Sequence, residues 1–188
     1  MKRIAIFASG TGSNAARIIE HFADHASVQV ALVVCNKPNA GVLSVAATQQ
    51  IESLLIERVR FFSGDGYVDL LQEKKIDWIV LAGFLWKVPV SLLRQYKGYI
   101  VNIHPALLPS FGGKGMYGDH VHEAVLVAKA TESGITIHYV DEEYDHGATI
   151  FQAHCPVFAD DTVATLATRI HALEHQHYSR VIEELLCR

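Results

Sequence analysis

Cysteine is scarce in this chain, with three in 188 residues: Cys35, Cys155 and Cys187. None is close enough to another for a C-x-x-C pair. An odd, scattered set excludes a disulfide scaffold and suits a reducing compartment. Long apolar runs are missing too. The longest, Trp78 to Trp86, falls far short of the ~20 residues needed to span a bilayer. The first residues read as a strand and not as a signal peptide. Membrane insertion is therefore not expected, and a cytoplasmic location is. There is also no excess of positive charge. The formal net charge is -4, whereas a nucleic-acid binder carries a basic face. Internal repeats, low-complexity segments and linkers are absent.

What is present is a globular profile. Half of the residues are apolar and 19% are charged, enough for one domain (1–188) with a full core. Apolar runs alternate with amphipathic stretches. Strands are expected at Arg3–Ala8, Val28–Val34, Ser53–Ile56, Trp78–Leu81 and Tyr99–Ile103. Helices are expected at Ala15–Phe22, Gly41–Gln50, Tyr67–Lys74 and Val90–Gln95. Strand and helix in alternation imply crossovers and a parallel sheet covered on both faces, hence an α/β, Rossmann-like fold. After Ile103 the pattern changes. A Pro- and Gly-rich loop (Pro105–Pro109, Phe111–Gly118) leads to a helix near His120–Ala130. Two alternating strands, Gly134–Val140 and Thr149–Val157, flank the acidic turn Asp141–Gly147 and are expected to pair as an antiparallel hairpin. A last helix runs from about Thr162 to Leu186, with Asp160 and Asp161 placed to favour its N-terminus.

Three segments carry chemistry. Ser9-Gly10-Thr11-Gly12-Ser13-Asn14 lies between the first strand and first helix. Its glycines allow close backbone approach, and the helix start offers free N–H groups to a phosphate. The third glycine of a dinucleotide fingerprint is missing. The plainer reading is a tight turn with Ser13 or Asn14 capping the helix. Asn102-Ile103-His104-Pro105 closes the fifth strand. Residues two apart on a strand face one side, so Asn102 and His104 can aim at one point at the carboxyl edge, where open α/β sheets bind ligands. The plainer reading there is a satisfied polar pair. Within the acidic turn, Asp145 is the carboxylate that could face His104 and orient its ring. His171 and His175, four apart on a helix, and the neighbours His120 and His122 have metal-ligand types. No H-E-x-x-H or Cys/His set completes either pair, so no metal is expected.

Taken with Ala82-Gly83-Phe84, Pro105-Ala106-Leu107-Leu108-Pro109, Gly134-Ile135-Thr136-Ile137-His138-Tyr139-Val140-Asp141, Tyr144-Asp145-His146-Gly147 and Glu174-His175, these segments resemble the phosphoribosylglycinamide formyltransferases. That family serves folate-dependent purine synthesis. The resemblance runs in order through nearly the whole chain. It implies a formyltransferase fold with a nucleotide- and phosphate-binding half (1–100) and a catalytic and folate-binding half (101–188). It implies 10-formyltetrahydrofolate as co-substrate and glycinamide ribonucleotide as acceptor, in a monomer or homodimer, without metal, nucleic acid or membrane. Asn102, His104 and Asp145 would be catalytic, with His138 behind them. Gly12, Ser13, Asn14 and Glu174 would hold the ribonucleotide. Leu85, Trp86, Lys87 and Val88, with Asn102 and Asp141, Glu142, Glu143, Tyr144 and Asp145, would bind the folate, largely through backbone groups.

Three departures from the family pattern stand out. The Gly112–Gly118 loop is longer than expected. Gly64 replaces an arginine near the substrates, with Arg58, Arg60 and Lys37 as the cations that would compensate. Trp86-Lys87 replaces the usual pair after Ala82-Gly83-Phe84. Three other functions share the fold. A formyltetrahydrofolate hydrolase would not need Ser9–Asn14 or Glu174. A non-catalytic nucleotide-binding module would bind without turnover. A tRNA formyltransferase would need a basic surface and a further domain.

Overall fold

The computed structural model describes residues 1–187, which form one seven-stranded sheet in the order β3-β2-β1-β4-β5-β6-β7. Strands β1 (Lys2–Ala8), β2 (Val28–Cys35), β3 (Ser53–Leu55), β4 (Trp78–Leu81) and β5 (Ile100–His104) are parallel. Strands β6 (Glu132–Tyr139) and β7 (Thr149–Pro156) continue the sheet antiparallel. The expected α/β, Rossmann-like architecture with its C-terminal hairpin is borne out.

The parallel strands are apolar because both faces are covered. β4 is buried throughout, and the inner five residues of β1 are buried as well. On one face pack α1 (Ser13–His21), α2 (Gly41–Thr48), α6 (Asp119–Val127) and α7 (Val163–Leu186), around Ile4, Ile6, Val33, Val80 and Val101. On the other, α3 (Arg58–Ser63), α4 (Val68–Glu73) and α5 (Val90–Gln95) cover Ala5, Phe7, Leu32 and Ile79. α7 begins with a Thr162 capping box, in which the Thr162 hydroxyl accepts from Thr165 N–H. Asp161 instead binds Arg169 through both oxygens. Tyr178 fastens α7 to the sheet, its buried hydroxyl donating to Leu81 O at 2.8 Å.

Three local expectations are corrected. The sequence pattern does not show α3, which is under two turns long and buries only Phe61, too little for a helical period. The helix-capping role offered to Ser13 or Asn14 is not used. The residue before α1 is Gly12, at φ 85°, with no side-chain cap. β6 alternates in polarity but not in burial: Thr136 (0% exposed) and His138 (2%) are as buried as Ile135 and Ile137. The loop after β5 covers Thr136. Thr136 donates to Ala106 O at 2.7 Å and accepts from Leu108 N–H.

Candidate functional site

Between β1 and β4 the chain direction divides, β1 leading to β2 on one side and β4 to β5 on the other. Crevices at such switch points, beyond the carboxyl ends of parallel strands, are where this architecture binds ligands. Three segments leave the sheet at that edge: Ser9–Asn14 after β1, Ala82–Val88 after β4, and Asn102–Pro105 at the end of β5. They surround a cavity of about 500 Å³, closed by α6, α7, the Gly113–Gly118 loop and the turn after β6. The volume is that of a small-molecule site.

At one end stands the glycine loop. Gly12 has no alternative residue: its φ is 85°, and a Cβ there would lie 2.8 Å from Val42 Cα. Freed from capping, Asn14 donates through Nδ2 to Glu174 Oε2 at 2.9 Å, while its Oδ1 is buried without a partner among the described residues. Burial raises the pKa of Glu174, although the Asn14 hydrogen bond works the other way. Residues from both halves of the chain thus build this end.

At the other end Asn102, His104, His138 and Asp145 meet. The antiparallel register sets Asn102 opposite His138 and His104 opposite Thr136. Asp145 arrives from the turn, at φ 54°, with Oδ2 3.5 Å from His104 Nδ1 and Oδ1 3.7 Å from His138 Nε2. The tight turn needs Gly147, where any Cβ would collide with Tyr139 O. The loop after β5 completes the arrangement through its backbone. Phe111 O accepts from His104 Nε2 at 2.8 Å, and Gly113 N–H donates to Asp145 Oδ2 at 2.9 Å. His104 is 3% exposed, with Nε2 taken by Phe111 O and Nδ1 facing Asp145.

The remaining wall comes from two segments that touch. Leu85 N–H donates to Ser9 Oγ at 2.9 Å, joining Leu85–Val88 to the glycine loop. Lys87 Nζ lies 5.6 Å from the centre of the Tyr144 ring, joining the same stretch to the acidic turn. Gly12, Ser13, Asn14, Leu85, Trp86, Lys87, Val88, Asn102, His104, His138, Asp141, Glu143, Tyr144, Asp145 and Glu174 all line the cavity. Glu142 does not. Asp141 Oδ1 accepts from Glu143 N–H, an Asx turn that leaves Glu142 exposed at its apex.

Two further histidines, His122 and His171, line the cavity wall. Each belonged to a pair with metal-ligand types, and the fold separates the pairs. His120 lies outside the cavity wall, near Glu123 at 3.6 Å, and His175 is not part of the wall either. Among the described residues no group of three or more His, Cys, Asp or Glu is arranged to hold a metal. Gly64 ends α3 and does not reach the cavity. Of the cations near it, Arg60 pairs with Asp65 at 3.4 Å, while Arg58 lies over the Phe62 and Trp86 rings. Lys37 lines a separate hollow beside Gly10 and Thr11. The cations on the cavity wall itself are Lys87 and Lys114.

The cavity at the switch point joins a glycine loop to an Asn-His-Asp cluster, and comparison with known proteins shows the family. The chain belongs to the formyl transferase family, whose model matches residues 2–182. Phosphoribosylglycinamide formyltransferase of Bacillus subtilis is 38% identical over 191 residues, covering 99% of this chain and 95% of the relative. The chloroplastic phosphoribosylglycinamide formyltransferase of Arabidopsis thaliana is 42% identical over 96% of this chain, which spans only 64% of that relative's length. The crystal structure of phosphoribosylglycinamide formyltransferase from Bacillus halodurans superposes with a TM-score of 0.88 at 39% identity, covering 98% of this chain and 95% of that one. The resemblance read from the sequence is borne out. No helix among the described residues is long and apolar enough to cross a membrane.

Proposed function

We propose that this chain transfers the formyl group of 10-formyltetrahydrofolate to the amine of glycinamide ribonucleotide, in the cytoplasm, giving the N-formyl product and tetrahydrofolate for purine synthesis. The observation that carries the reading is the single cavity with Gly12–Asn14 at one end and Asn102, His104 and Asp145 at the other. The phosphate would rest on the glycine loop and the start of α1. Glu174, tied to Asn14, would hold the next part of the acceptor. The folate would lie against Leu85–Val88 and the acidic turn. Both halves of the chain then serve both substrates.

Attack of the amine on the formyl carbon gathers negative charge on oxygen, and catalysis requires donors placed for that charge. Asn102 supplies an amide N–H. His104, with Nε2–H held by Phe111 O, supplies Nδ1–H at the edge facing Asp145. Asp145 would stabilise the imidazolium and, through water, carry a proton from the attacking amine to the departing folate nitrogen. The new C–N bond forms to the acceptor amine, the bond to the folate nitrogen breaks, and one proton passes between the two nitrogens.

The test follows the folate absorbance change with 10-formyl folate, with and without glycinamide ribonucleotide. Turnover only with the ribonucleotide is expected. Folate release without it would overturn the reading in favour of hydrolysis, and no release in either case would leave a binding module.

A further inference from the structure

A second glycine-rich segment lines the cavity, Gly113-Lys114-Gly115-Met116-Tyr117-Gly118. It has G-x-G-x-x-G spacing and leads straight into α6. Pro105–Gly112 separates it from β5, so it is not the strand–turn–helix of a dinucleotide fold. Its parts are nonetheless those that receive an anion. Gly113, Gly115 and Gly118 have φ of 97°, 92° and 53°, and a Cβ on any of them would meet nothing within 4 Å. These glycines therefore serve backbone shape and leave the backbone uncovered. Gly113 O accepts from Met116 N–H at 3.1 Å, closing a turn with Lys114 and Gly115 at its corners. The N–H groups of Lys114, Gly115, Tyr117 and Gly118 have no protein partner among the described residues. α6 follows with no side-chain cap, so its first N–H groups are free as well.

Two side chains point the same way. Of the lysines on the wall, Lys87 lies over the Tyr144 ring. Lys114 is exposed and has no ion-pair partner among the described residues. His122, one turn into α6, lines the cavity at 2% exposure, and its Nδ1 is buried without a partner among the described residues. A buried polar atom left unpaired is costly, and a ligand that pairs it removes the cost. The ionisable groups acting on His122 are His171 of α7, Asp119 of α6 and His104 of β5. His171 stands one helical turn before Glu174, which is bonded to Asn14. His122 thus stands between His104 and the end of the cavity that carries Gly12–Asn14. The Ser9–Asn14 loop has no lysine or arginine of its own.

We propose that Gly113–Gly118 is a second phosphate-binding loop: Lys114, the free N–H groups of the loop and His122 Nδ1–H hold the phosphate of the acceptor together with Gly12–Asn14. This deepens the formyl-transfer reading and rests on it. A phosphate dianion has more lone pairs than one short loop can meet, and two loops with a lysine satisfy it. Burial, and after it His171, lowers the pKa of His122. The ring therefore gives a neutral N–H, and Lys114 gives the charge.

Ribose 5-phosphate is the probe, because its binding needs no turnover. In calorimetry Lys114→Gln, a change at an exposed side chain, should weaken it about tenfold, the worth of one hydrogen bond to a charged group. Lys114→Arg should stay within about threefold of wild type. His122→Asn keeps a donor near the Nδ1 position and should bind at least about fivefold better than His122→Leu. In turnover, Lys114→Gln should act on KM and not on kcat, raising the KM for glycinamide ribonucleotide about tenfold and leaving that for its dephosphorylated nucleoside in place. Equal affinity for ribose 5-phosphate in Lys114→Gln and wild type would overturn the proposal. A rise in the folate KM alone would overturn it too, by giving Lys114 to the folate carboxylates. A protein that binds ribose 5-phosphate through Lys114 yet transfers no formyl group would support the loop and refute the reaction.

Discussion

The two ends of the cavity are built differently. The glycine-loop end rests on backbone: Gly12 at φ 85° packed against Val42, the open start of α1, and one side-chain bond between Asn14 and Glu174. The opposite end rests on side chains whose aim depends on partners far along the chain. There, His104 is held by Phe111 O, Asp145 by Gly113 N–H, and Asn102 by His138. A phosphate carries full charge and spreads over several N–H groups, so a backbone nest suffices. A developing oxyanion exists only in passing and needs donors fixed in advance. The first end should therefore govern binding, and the second rate.

The largest effect that could break this division is His104→Ala. Turnover should fall by about 10²–10⁴, while calorimetric affinity for the ribonucleotide changes little. Near-normal turnover would remove His104 from the mechanism. Next is Gly12→Ala, which forces a Cβ toward Val42 Cα and a side chain into left-handed backbone. The strain is about 1–3 kcal/mol, and ribonucleotide affinity should drop ~10-fold or more with folate binding kept. An unchanged affinity would take the phosphate away from this loop.

Glu174→Gln sharpens the comparison through pH. The folded-state pKa of Glu174 is raised, chiefly by burial. The folded protein thus holds that proton more tightly than the unfolded chain. The group's favourable contribution is full below its ordinary pKa of 4.5 and is lost as pH rises through the higher folded value. The Tm of the glutamine variant minus that of wild type should therefore increase from pH 4 toward neutrality. A difference independent of pH would mean the carboxyl is not desolvated. The smallest effect belongs to the scaffold both ends share. Tyr178→Phe removes the hydroxyl that donates to Leu81 O and should cost about 1–2 kcal/mol, a Tm drop of ~2–8 °C, without moving either KM.

The legibility of these regions in the sequence follows the same division. The parallel strands were readable because burial on both faces demands unbroken apolar runs, as in Trp78-Ile79-Val80-Leu81. Gly12 was readable because glycine is the residue that positive φ selects. α3 was not, since one buried Phe61 makes no period. The alternation of β6 does not show that Thr136 is buried, because the loop that bonds it comes from the end of β5. In the sequence His122 and His171 belong to incomplete metal pairs, and only the packing of α6 beside α7 turns them toward the cavity.

Local chemistry alone determined the strand–helix alternation, the glycine loop after β1, and the pairing of Asn102 with His104 on one strand face, because each depends on residues within a few positions of one another. Tertiary structure decided which carboxylate meets His104, which ring stands against Asn102, and that Asn14 finds Glu174 across 160 positions. Those contacts depend on the register of β5 against β6 and the docking of α7 on α1. Register and docking minimise the exposed apolar surface of the whole sheet, a quantity that no single segment carries.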